Sequence, residues 1–557
     1  MLEKLTSGKT FWLLFSALAL FVYLPYIVNG GITMDGWVTV DASTFTSFRD
    51  SFNAWIRFVP HRPAYAAFSV FSGALFGAFS PGYNMLSIMS WLLTVWVTSL
   101  VLSTYLGKAA SRLFVIFAAA PVIASSAVFH SAVMHELTIS MLLWAMSLWL
   151  LVRYLENRKT KLILLSYTFV LLSLLLYEIT LPLLTLNILV PAVHGFGQQK
   201  LKGLPSKIRP AIPHLLVIGS LVLAVAIYQK VLAPALFNVG VSNLMLQGMT
   251  LKRFAWSLGS WGYSLLFDFP IQLISSYFYA RKVDMAIASL LIGALLFFTR
   301  REQSSKNSTT KGTPFIIMTG LGLLTCSFLF ILSVSKPSTY GYANRTMLST
   351  FLLMSILSSW LCATLLKRKL CGFICAIVAI SLYSSLLAQR DNFIKVGQIV
   401  KAVLEDCSTK VIEQHVPLGA SILANVPIYS DANFNNEEVF LGWWDFGFGI
   451  KYYTKGVINP LTSHVVNPVY LGDKEADYKQ FLLNQTQSIR GNLWYYEFDQ
   501  KTGSSRFERI PRTKDMSAFL KKIESSGINR QKQILSLQVK TWIKDNFRLR
   551  RDPVPLR

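Results

Sequence analysis

The chain has 557 residues, of which 53% are hydrophobic and only 15% charged, and its formal net charge is +25 at pH 7. A soluble chain of this length would form about three or four domains, but here repeated apolar runs approach the roughly 20 residues that cross a bilayer as a helix. The composition therefore excludes an ordinary soluble enzyme and predicts a polytopic α-helical membrane protein.

The positive charge is concentrated in short connections between apolar runs. These connections are residues 108–112, RYLENRKTK at 153–161, KLKGLPSKIR at 200–209, TRREQSSKNSTTK at 299–311 and KRK at 367–369. Lys and Arg accumulate in short cytoplasmic loops of membrane proteins. No basic helix or RNA-binding motif is present, so nucleic acid is not a predicted partner.

Eleven membrane spans are predicted from the apolar runs. They lie at about 11–29, 84–105, 110–129, 135–153, 161–177, 181–196, 212–232, 283–300, 314–333, 346–366 and 371–388. The first run lacks a small-x-small cleavage site and is interpreted as an uncleaved span. With a cytoplasmic N-terminus, every basic connection lies in the cytoplasm. Residues 30–83, 233–282 and the chain after about 389 are then predicted to lie outside.

Two domains are predicted, a membrane core at 1–390 with its first outer loop at 30–83, and a periplasmic domain at 391–557. In the first loop, TFTSFRDSFNAWIRFV indicates an amphipathic helix in the interface plane. AYAAFSVFSGALFGAF indicates a second surface helix or a partial re-entry. The aromatic-rich stretch 250–280 is interpreted as an interfacial helix.

The outer domain is predicted to be a small α/β domain. KVGQIVKAVLEDCSTKVIEQHV has helical periodicity, and ASILANVPIYS has the pattern of a strand. The tail at 530–557 is basic, with a solvated amphipathic helix and contact with membrane lipids as its two interpretations.

The first candidate site residues lie directly after span one, in MDGWVTVDAS. Asp35 is a loop charge, a helix cap or a catalytic acid, whereas Asp41 precedes a predicted helix and is favoured as a cap. The following HRP motif, with His61 and Arg62, is consistent with a turn before a helix that begins at Pro63.

Further charged residues are predicted at the same face of the membrane. FHSAVMHELTIS places His135 and Glu136 at the outer end of two spans, where Glu136 suits a first helical turn and the pair is also a weak candidate for a metal ion. Glu178, in LLSLLLYEITLPLL, is costly unless it is paired or faces a cavity. Lys336 and Arg345 either snorkel to the interface or clamp a phosphate, for which Arg offers a bidentate fork.

The motifs in this order resemble the GT-C superfamily of polytopic glycosyltransferases, in the branch that contains protein O-mannosyltransferase-like and bacterial lipopolysaccharide-modifying enzymes. The resemblance is carried by MDGWVTVD after span one, HRPAYAAFSVFSGALFGAFSPGYNML before span two, the acidic opening of span four, YEITLP, and YGYANRTMLSTFLL. In this chain the family's paired acids become Met34-Asp35, and the Lys before Glu178 becomes Tyr177. That second change shifts phosphate binding onto Arg345 or Arg62.

The resemblance implies a hexosyltransferase that moves a sugar from a polyprenyl-phosphate donor to a glycan or glycolipid acceptor, such as O-antigen or another part of lipopolysaccharide. The resemblance leaves open whether Asp35 or Asp41 is the catalytic acid. Asp35 lies only a few residues after span one, so it is predicted to be the base, with Asp41 as a supporting or structural acid. The other implied site residues are Arg345, Arg62 and Lys336 for the donor phosphate, and His61, His135, Glu136 and Glu178 in the cavity. No metal ligand is assigned, and a divalent metal is left open.

Two rival functions remain. A polysaccharide polymerase or ligase would need a large outer loop late in the membrane core. A transporter would show inverted repeats or broken helices with charges at the middle of the bilayer, and neither pattern is evident in the sequence.

Overall fold

The computed structural model describes residues 2–196, 209–237, 251–302, 312–332, 337–339, 342–365, 369–427, 437–440, 443–466, 492–511 and 514–525. The helices of the N-terminal half are α1 (Leu2–Asn29), α2 (Gly36–Phe45), α3 (Phe48–Phe58), α4 (Pro63–Phe76), α5 (Ser80–Tyr105), α6 (Lys108–Ala118), α7 (Ser126–Phe129), α8 (Ser131–Asn157), α9 (Thr160–Leu176), α10 (Leu184–Phe196), α11 (Ile212–Ile227) and α12 (Ala233–Phe237). They are followed by α13 (Leu251–Tyr263), α14 (Phe269–Tyr279), α15 (Lys282–Glu302), α16 (Gly312–Leu332), α17 (Leu348–Leu365), α18 (Lys369–Glu413), α19 (Trp443–Tyr453) and α20 (Met516–Ser525).

Seven helical segments in the described residues are long and apolar enough to cross a membrane. They are Gly8–Asn29, Ser80–Tyr105, Ser131–Asn157, Arg209–Phe237, Lys282–Arg300, Asn344–Thr364 and Gly372–Glu413. Shorter apolar helices at Thr160–Leu176, Glu178–His194 and Gly312–Ser327 coincide with the predicted spans five, six and nine. The prediction of a polytopic α-helical membrane protein is confirmed.

The third predicted span, at 110–129, is interrupted. Helix α6 ends at Ala118, and after Pro121 the chain forms a 3₁₀ turn at Val122–Ala124 and then the four-residue helix α7. Proline has no amide hydrogen and disfavours the helical conformation in the residue before it. The predicted span 110–129 is therefore not one continuous helix, and the interruption places His130 and the start of α8 beside the first loop.

The first loop contains three helices. Ser47 caps α3, because its side chain accepts a hydrogen bond from the Asp50 amide. Trp55 on α3 packs against Tyr65 and Val70 on α4, while Phe48 points to the surface. The two predicted loop helices are therefore present. The stretch predicted as interfacial, 250–280, forms α13, a π-helical turn and α14, and it is not one of the seven long apolar helices.

A single 45-residue helix, α18, runs from the membrane core into the C-terminal region. The predicted domain boundary at residue 390 falls within this helix. Arg390 is 3% exposed and forms ion pairs with Asp284 at 2.7 Å and Asp391 at 2.6 Å, and its guanidinium also donates to the Phe21 carbonyl. The buried charge is thus paired, as buried charges must be, and it joins α1, α15 and α18 at one level of the core.

The C-terminal region forms a four-stranded mixed sheet of β1 (Ser421–Asn425), β2 (His464–Val465), β3 (Leu493–Phe498) and β4 (Ser505–Arg509). The spatial order is β2-β1-β3-β4, with β1 parallel to β2 and β3, and β3 antiparallel to β4. The predicted strand in ASILANVPIYS and the predicted small α/β region are confirmed.

The sheet region packs on the first loop through a shared apolar cluster. Trp37 and Val40 of α2 lie in one buried cluster with Val400 of α18 and Phe446 of α19. This cluster fixes the C-terminal domain over one end of the helical core, which is called the domain face from here on.

Candidate functional site

The MDG motif at the start of the first loop has a specific backbone conformation. Met34 is buried and has a φ of 52°, in the left-handed region that costs a residue with a side chain about 1 kcal/mol. The next residue, Asp35, is half-buried at the N-terminal end of α2, and its side chain makes no capping hydrogen bond. A β-carbon at Gly36 would lie 2.8 Å from the Ala132 β-carbon, so the turn is pressed against α8. Such strained turns are typical of functional sites.

The same turn contacts the interrupted third span. Thr33 Oγ1 lies 3.1 Å from His130 Nδ1, directly before α8 begins. Asp35 is two residues further along the chain from this contact. The turn therefore places Asp35 at the domain face, close to the start of α8.

Asp41 has a different structural role from the one predicted. It lies inside α2, 7% exposed, and forms a salt bridge of 2.8 Å with Lys451 of α19. Burial raises the pKa of Asp41, and the Lys451 ammonium partly opposes that rise. The prediction that Asp41 caps the following helix is wrong, since Ser47 caps it. Asp41 instead joins the first loop to the C-terminal domain.

Arg62 and Glu178 form an ion pair across two segments that are distant in sequence. Arg62 Nη2 lies 2.8 Å from Glu178 Oε2, and Arg62 Nε donates to both carboxylate oxygens at 3.0 and 3.2 Å. Gln229 donates a further hydrogen bond to Glu178 at 3.0 Å. Of the two alternatives that the sequence left open for Glu178, a partner or a cavity, the structure shows a partner, which is Arg62. A guanidinium held at two points is an ordered cation.

His61 lies in the same group of charges. Burial lowers the pKa of His61, and the neighbouring Arg62 and Lys230 lower it further, while Glu178 acts in the opposite direction. His61 is therefore neutral at physiological pH, and the positive charge here resides on the arginine.

Tyr177 lies between two arginines. The Arg62 guanidinium is 4.2 Å from the centroid of the Tyr177 ring, and the Arg345 side chain donates a hydrogen bond to the Tyr177 hydroxyl. Arg62 and Arg345, both predicted as phosphate ligands, thus meet at Tyr177. Lys336, the third predicted phosphate ligand, lies outside the described residues.

Arg345 is positioned by a clamp on the interrupted span. It lies in a 3₁₀ segment, Tyr342–Met347, whose Asn344 side chain accepts hydrogen bonds from the Ser126 amide at 3.0 Å and the Ser126 hydroxyl at 2.5 Å. The Asn344 amide also donates to Ser125 Oγ at 3.2 Å. The break after Pro121 leaves the Ser125 and Ser126 groups available to hydrogen-bond with Asn344. A continuous helix here would not hold Arg345 in place.

His135 and Glu136 are buried in the interface between α4 and α8. His135 Nε2 lies 3.2 Å from Glu136 Oε1 and 2.8 Å from Ser72 Oγ, and Ser69 donates to Glu136. Both side chains are at most 1% exposed. In the part of the chain that the structure describes, these contacts are to serines of α4 and α8 rather than to the arginines. The pair holds α4, which begins directly after Arg62, against the core.

No group of three or more His, Cys, Asp or Glu side chains among the described residues is placed to hold a metal ion.

A further acid reaches the site from the C-terminal domain. Burial raises the pKa of Glu438 to about 7, and the nearby Arg345 guanidinium acts in the opposite direction. Its neighbour Glu437 accepts a hydrogen bond from Asn392 of α18, which holds this segment on the core. Glu438 is not predicted as a site residue from the sequence, because it is remote in sequence from Arg345. The only signal was a pair of adjacent acids in a chain with 28 acidic residues.

The fold and these contacts define a polytopic membrane protein with two arginines, a tyrosine and several acids gathered at one end of its helical core. No protein-family model matches the chain, and no curated protein matches it.

Solved structures are similar to this chain over most of its length. ArnT from Cupriavidus metallidurans bound to undecaprenyl phosphate is 12% identical, with a TM-score of 0.45, over 89% of this chain and 94% of that chain. Its apo state is 13% identical, with a TM-score of 0.46 and the same coverage. The Archaeoglobus fulgidus oligosaccharyltransferase in complex with Zn and sulfate is 13% identical, with a TM-score of 0.40, over 87% of this chain and 68% of that chain.

Proposed function

We propose that this protein is a GT-C-type hexosyltransferase that moves a sugar from a polyprenyl-phosphate donor to a glycan or glycolipid acceptor. The observation that carries the proposal is the meeting of Arg62 and Arg345 at Tyr177, at the end of a helical membrane core. Two guanidinium groups at the end of a membrane core suit a ligand whose anionic head is anchored in the bilayer by an apolar tail. A lipid phosphate is such a ligand.

The two arginines would have different roles toward the donor. Arg62 is held by Glu178 through three short contacts, so it supplies a fixed positive charge with little freedom to move. Arg345 lies on a clamped 3₁₀ segment and reaches the Tyr177 hydroxyl, so its fork is placed to bind phosphate oxygens in a bidentate manner. Positive charge here stabilises the phosphate that leaves when the sugar is transferred.

The transfer itself needs a base for the acceptor. The acceptor hydroxyl oxygen forms a bond to the anomeric carbon of the donor, and the bond from that carbon to the phosphate oxygen breaks. The bonding electrons leave with the polyprenyl phosphate, and the hydroxyl proton passes to a carboxylate. Asp35 is the proposed carboxylate, because the strained Met34 turn fixes it at the domain face. A positioned base of this kind contributes about 10²–10⁴-fold.

Glu438 would make donor binding depend on pH. Below about pH 7 its carboxyl is neutral and the Arg345 charge acts fully on the donor phosphate; above it, the ionised carboxylate compensates that charge. We therefore expect the donor KM to rise about threefold to tenfold between pH 6 and pH 8. The measurement is a donor titration at several pH values with wild type and Glu438→Gln. The matched control is Glu413→Gln, which changes an exposed acid at the end of α18. An unchanged pH dependence in Glu438→Gln would show that Glu438 does not act on the donor.

The proposed orientation has the N-terminus in the cytoplasm and the domain face in the periplasm of a bacterial inner membrane. It is supported by the five basic connections of the sequence. A phosphatase that is active only outside the cytoplasm should be active when it is fused after residue 557. The same phosphatase should be inactive when it is fused at residue 160, in the second basic connection. The reverse pattern would place the site on the cytoplasmic side.

The proposed acceptor is a cell-surface glycan, as in O-antigen or lipopolysaccharide modification. Glycan mass spectrometry of cells with and without the protein should show a difference of one hexose on that glycan. A difference of many repeat units would favour the polymerase or ligase alternative, and identical glycans in both strains would contradict a role in surface-glycan synthesis.

A further inference from the structure

A separate cavity lies at the junction of the first loop, α18 and the C-terminal domain. It has a volume of about 420 Å³ and is called the Trp37 groove here. The residues that give it its chemistry are Asn29, Trp37, Ser80, Gln398, Lys401 and Tyr453. None of the residues proposed for donor binding or base catalysis lines it. Its volume lies within the range of small-molecule sites.

A close contact between two glycines forms the base of this groove. A β-carbon at Gly397 would lie 2.6 Å from the Gly31 amide nitrogen, and one at Gly31 would lie 2.8 Å from the Gly397 α-carbon. The end of α1 and helix α18 therefore touch through their backbones. Gly30 and Ala78, which also line the groove, leave room beside this contact because neither has a large side chain.

Trp37 contributes a buried polar group to the groove. Its side chain is 4% exposed and packs against Tyr452 and Tyr453, with ring centroids 5.7 Å from each. Its indole nitrogen has no hydrogen-bond partner among the described residues. An indole N–H only donates, and a buried donor is normally satisfied. The groove is therefore suited to a ligand that brings an acceptor oxygen.

The charge of the groove points to the kind of acceptor. Lys401 is the one charged residue that lines it in the described part of the chain, and no Asp or Glu does. Lys401 lies 3.7 Å from Glu405, but both side chains are more than half exposed, so this pair holds the ammonium weakly. The amide of Gln398 and the hydroxyls of Ser80 and Tyr453 add neutral hydrogen-bonding groups around the cation.

We propose that the Trp37 groove binds a sugar residue that carries a carboxylate or phosphate group, as part of the acceptor glycan. The aromatic rings contact the apolar face of the sugar, the neutral polar groups bind its hydroxyls, and Lys401 and the Trp37 N–H bind the anionic substituent. The assignment to the acceptor rests on the proposed function. The groove would then hold the acceptor glycan next to the turn that carries Asp35, which begins directly after Gly31 and Ile32.

The test is saturation-transfer NMR on the full-length protein in nanodiscs, without donor, with glucuronate, glucose 6-phosphate and neutral glucose as probes. We expect at least one acidic sugar to bind more tightly than glucose, and which of the two binds identifies the anionic group. Trp37→Phe keeps an aromatic ring and removes the N–H, so it should weaken that binding roughly tenfold, as expected for a lost hydrogen bond to a charged group. Lys401→Gln should weaken it to a similar extent.

The matched control is Trp91→Phe, which also removes a buried indole N–H without a described partner, but in the membrane core away from the groove. This variant should bind the acidic sugar as tightly as the wild type does. Equal binding of glucose and both acids, or equal weakening by Trp37→Phe and Trp91→Phe, would overturn the proposal. The experiment measures binding and not sugar transfer. An Asp35→Asn variant that transfers no sugar but still binds the acidic sugar would therefore support the groove proposal. Conversely, loss of the probe signal alone does not bear on the glycosyltransferase proposal.

Discussion

Asp35→Asn is expected to lower the rate of sugar transfer by about 10²–10⁴-fold while leaving expression and the unfolding temperature unchanged. The substitution is nearly isosteric and removes only the ability to take a proton from the acceptor. The Asp35 side chain makes no capping hydrogen bond to α2, and the asparagine amide fills the same space as the carboxylate. The measurement is transfer from a purified polyprenyl-phosphate sugar, with the donor KM determined in parallel. The donor KM should stay the same, because the carboxylate acts on the acceptor.

Asp41→Asn is the informative comparison, because it changes an acid in the same short motif. Asp41 is buried against Lys451, so its loss leaves a partly buried ammonium without its carboxylate. We expect a lower unfolding temperature and partial retention of transfer. If Asp35→Asn transfers sugar normally and Asp41→Asn is inactive yet folded, the two roles are reversed. If both variants are active, the catalytic interpretation of the motif fails.

The membrane architecture could be predicted from the sequence because hydropathy is a local property. Each span is indicated by the hydropathy of about 20 consecutive residues, and each basic connection is short. The ion pair of Glu178 was also foreseeable in kind, since an unpaired carboxylate in an apolar run is too costly. The identity of its partner was not, because Arg62 lies in a different loop and only the packing of α4 on α8 and α9 brings it near.

The errors share a physical cause. Asp41 has the local pattern of a helix cap, but the docking of α19 offers it a lysine that no local rule can anticipate. The interruption at Pro121 lies within an apolar run, where hydropathy indicates a span but proline ends the helix. Glu438 lies near Arg345 only because a segment of the C-terminal domain contacts the core there. Neither periodicity nor composition predicts that contact.

These nonlocal contacts have one feature in common, which is that they join the C-terminal domain to the membrane site. Asp41 contacts Lys451, Trp37 packs on Tyr453, and Glu438 lies near Arg345. The domain is therefore part of the site rather than an appendage, and the continuous helix α18 transmits its position directly to the core. A substitution that loosens the domain should change the site even when it is far from the two arginines.

Arg345→Lys is expected to lower kcat/KM for the donor by about 10²-fold, although the positive charge is retained. A lysine ammonium is a point charge and cannot reproduce the planar fork that binds two phosphate oxygens together. It would also lose the hydrogen bond to the Tyr177 hydroxyl. The neighbouring Asn344 clamp on Ser126 is untouched, so the 3₁₀ segment should keep its place. The loss should therefore appear in donor kinetics and not in the unfolding temperature.

Two further arginine variants make this result interpretable. Arg49→Lys changes an exposed arginine of the first loop and should be neutral in both measurements. Arg62→Lys breaks the multiple contacts with Glu178, so it should lower the unfolding temperature as well as the donor affinity. A lower kcat/KM for the donor with an unchanged unfolding temperature would thus be specific to Arg345. Full activity of Arg345→Lys would mean that its charge alone matters, and phosphate binding would then have to be assigned to Arg62.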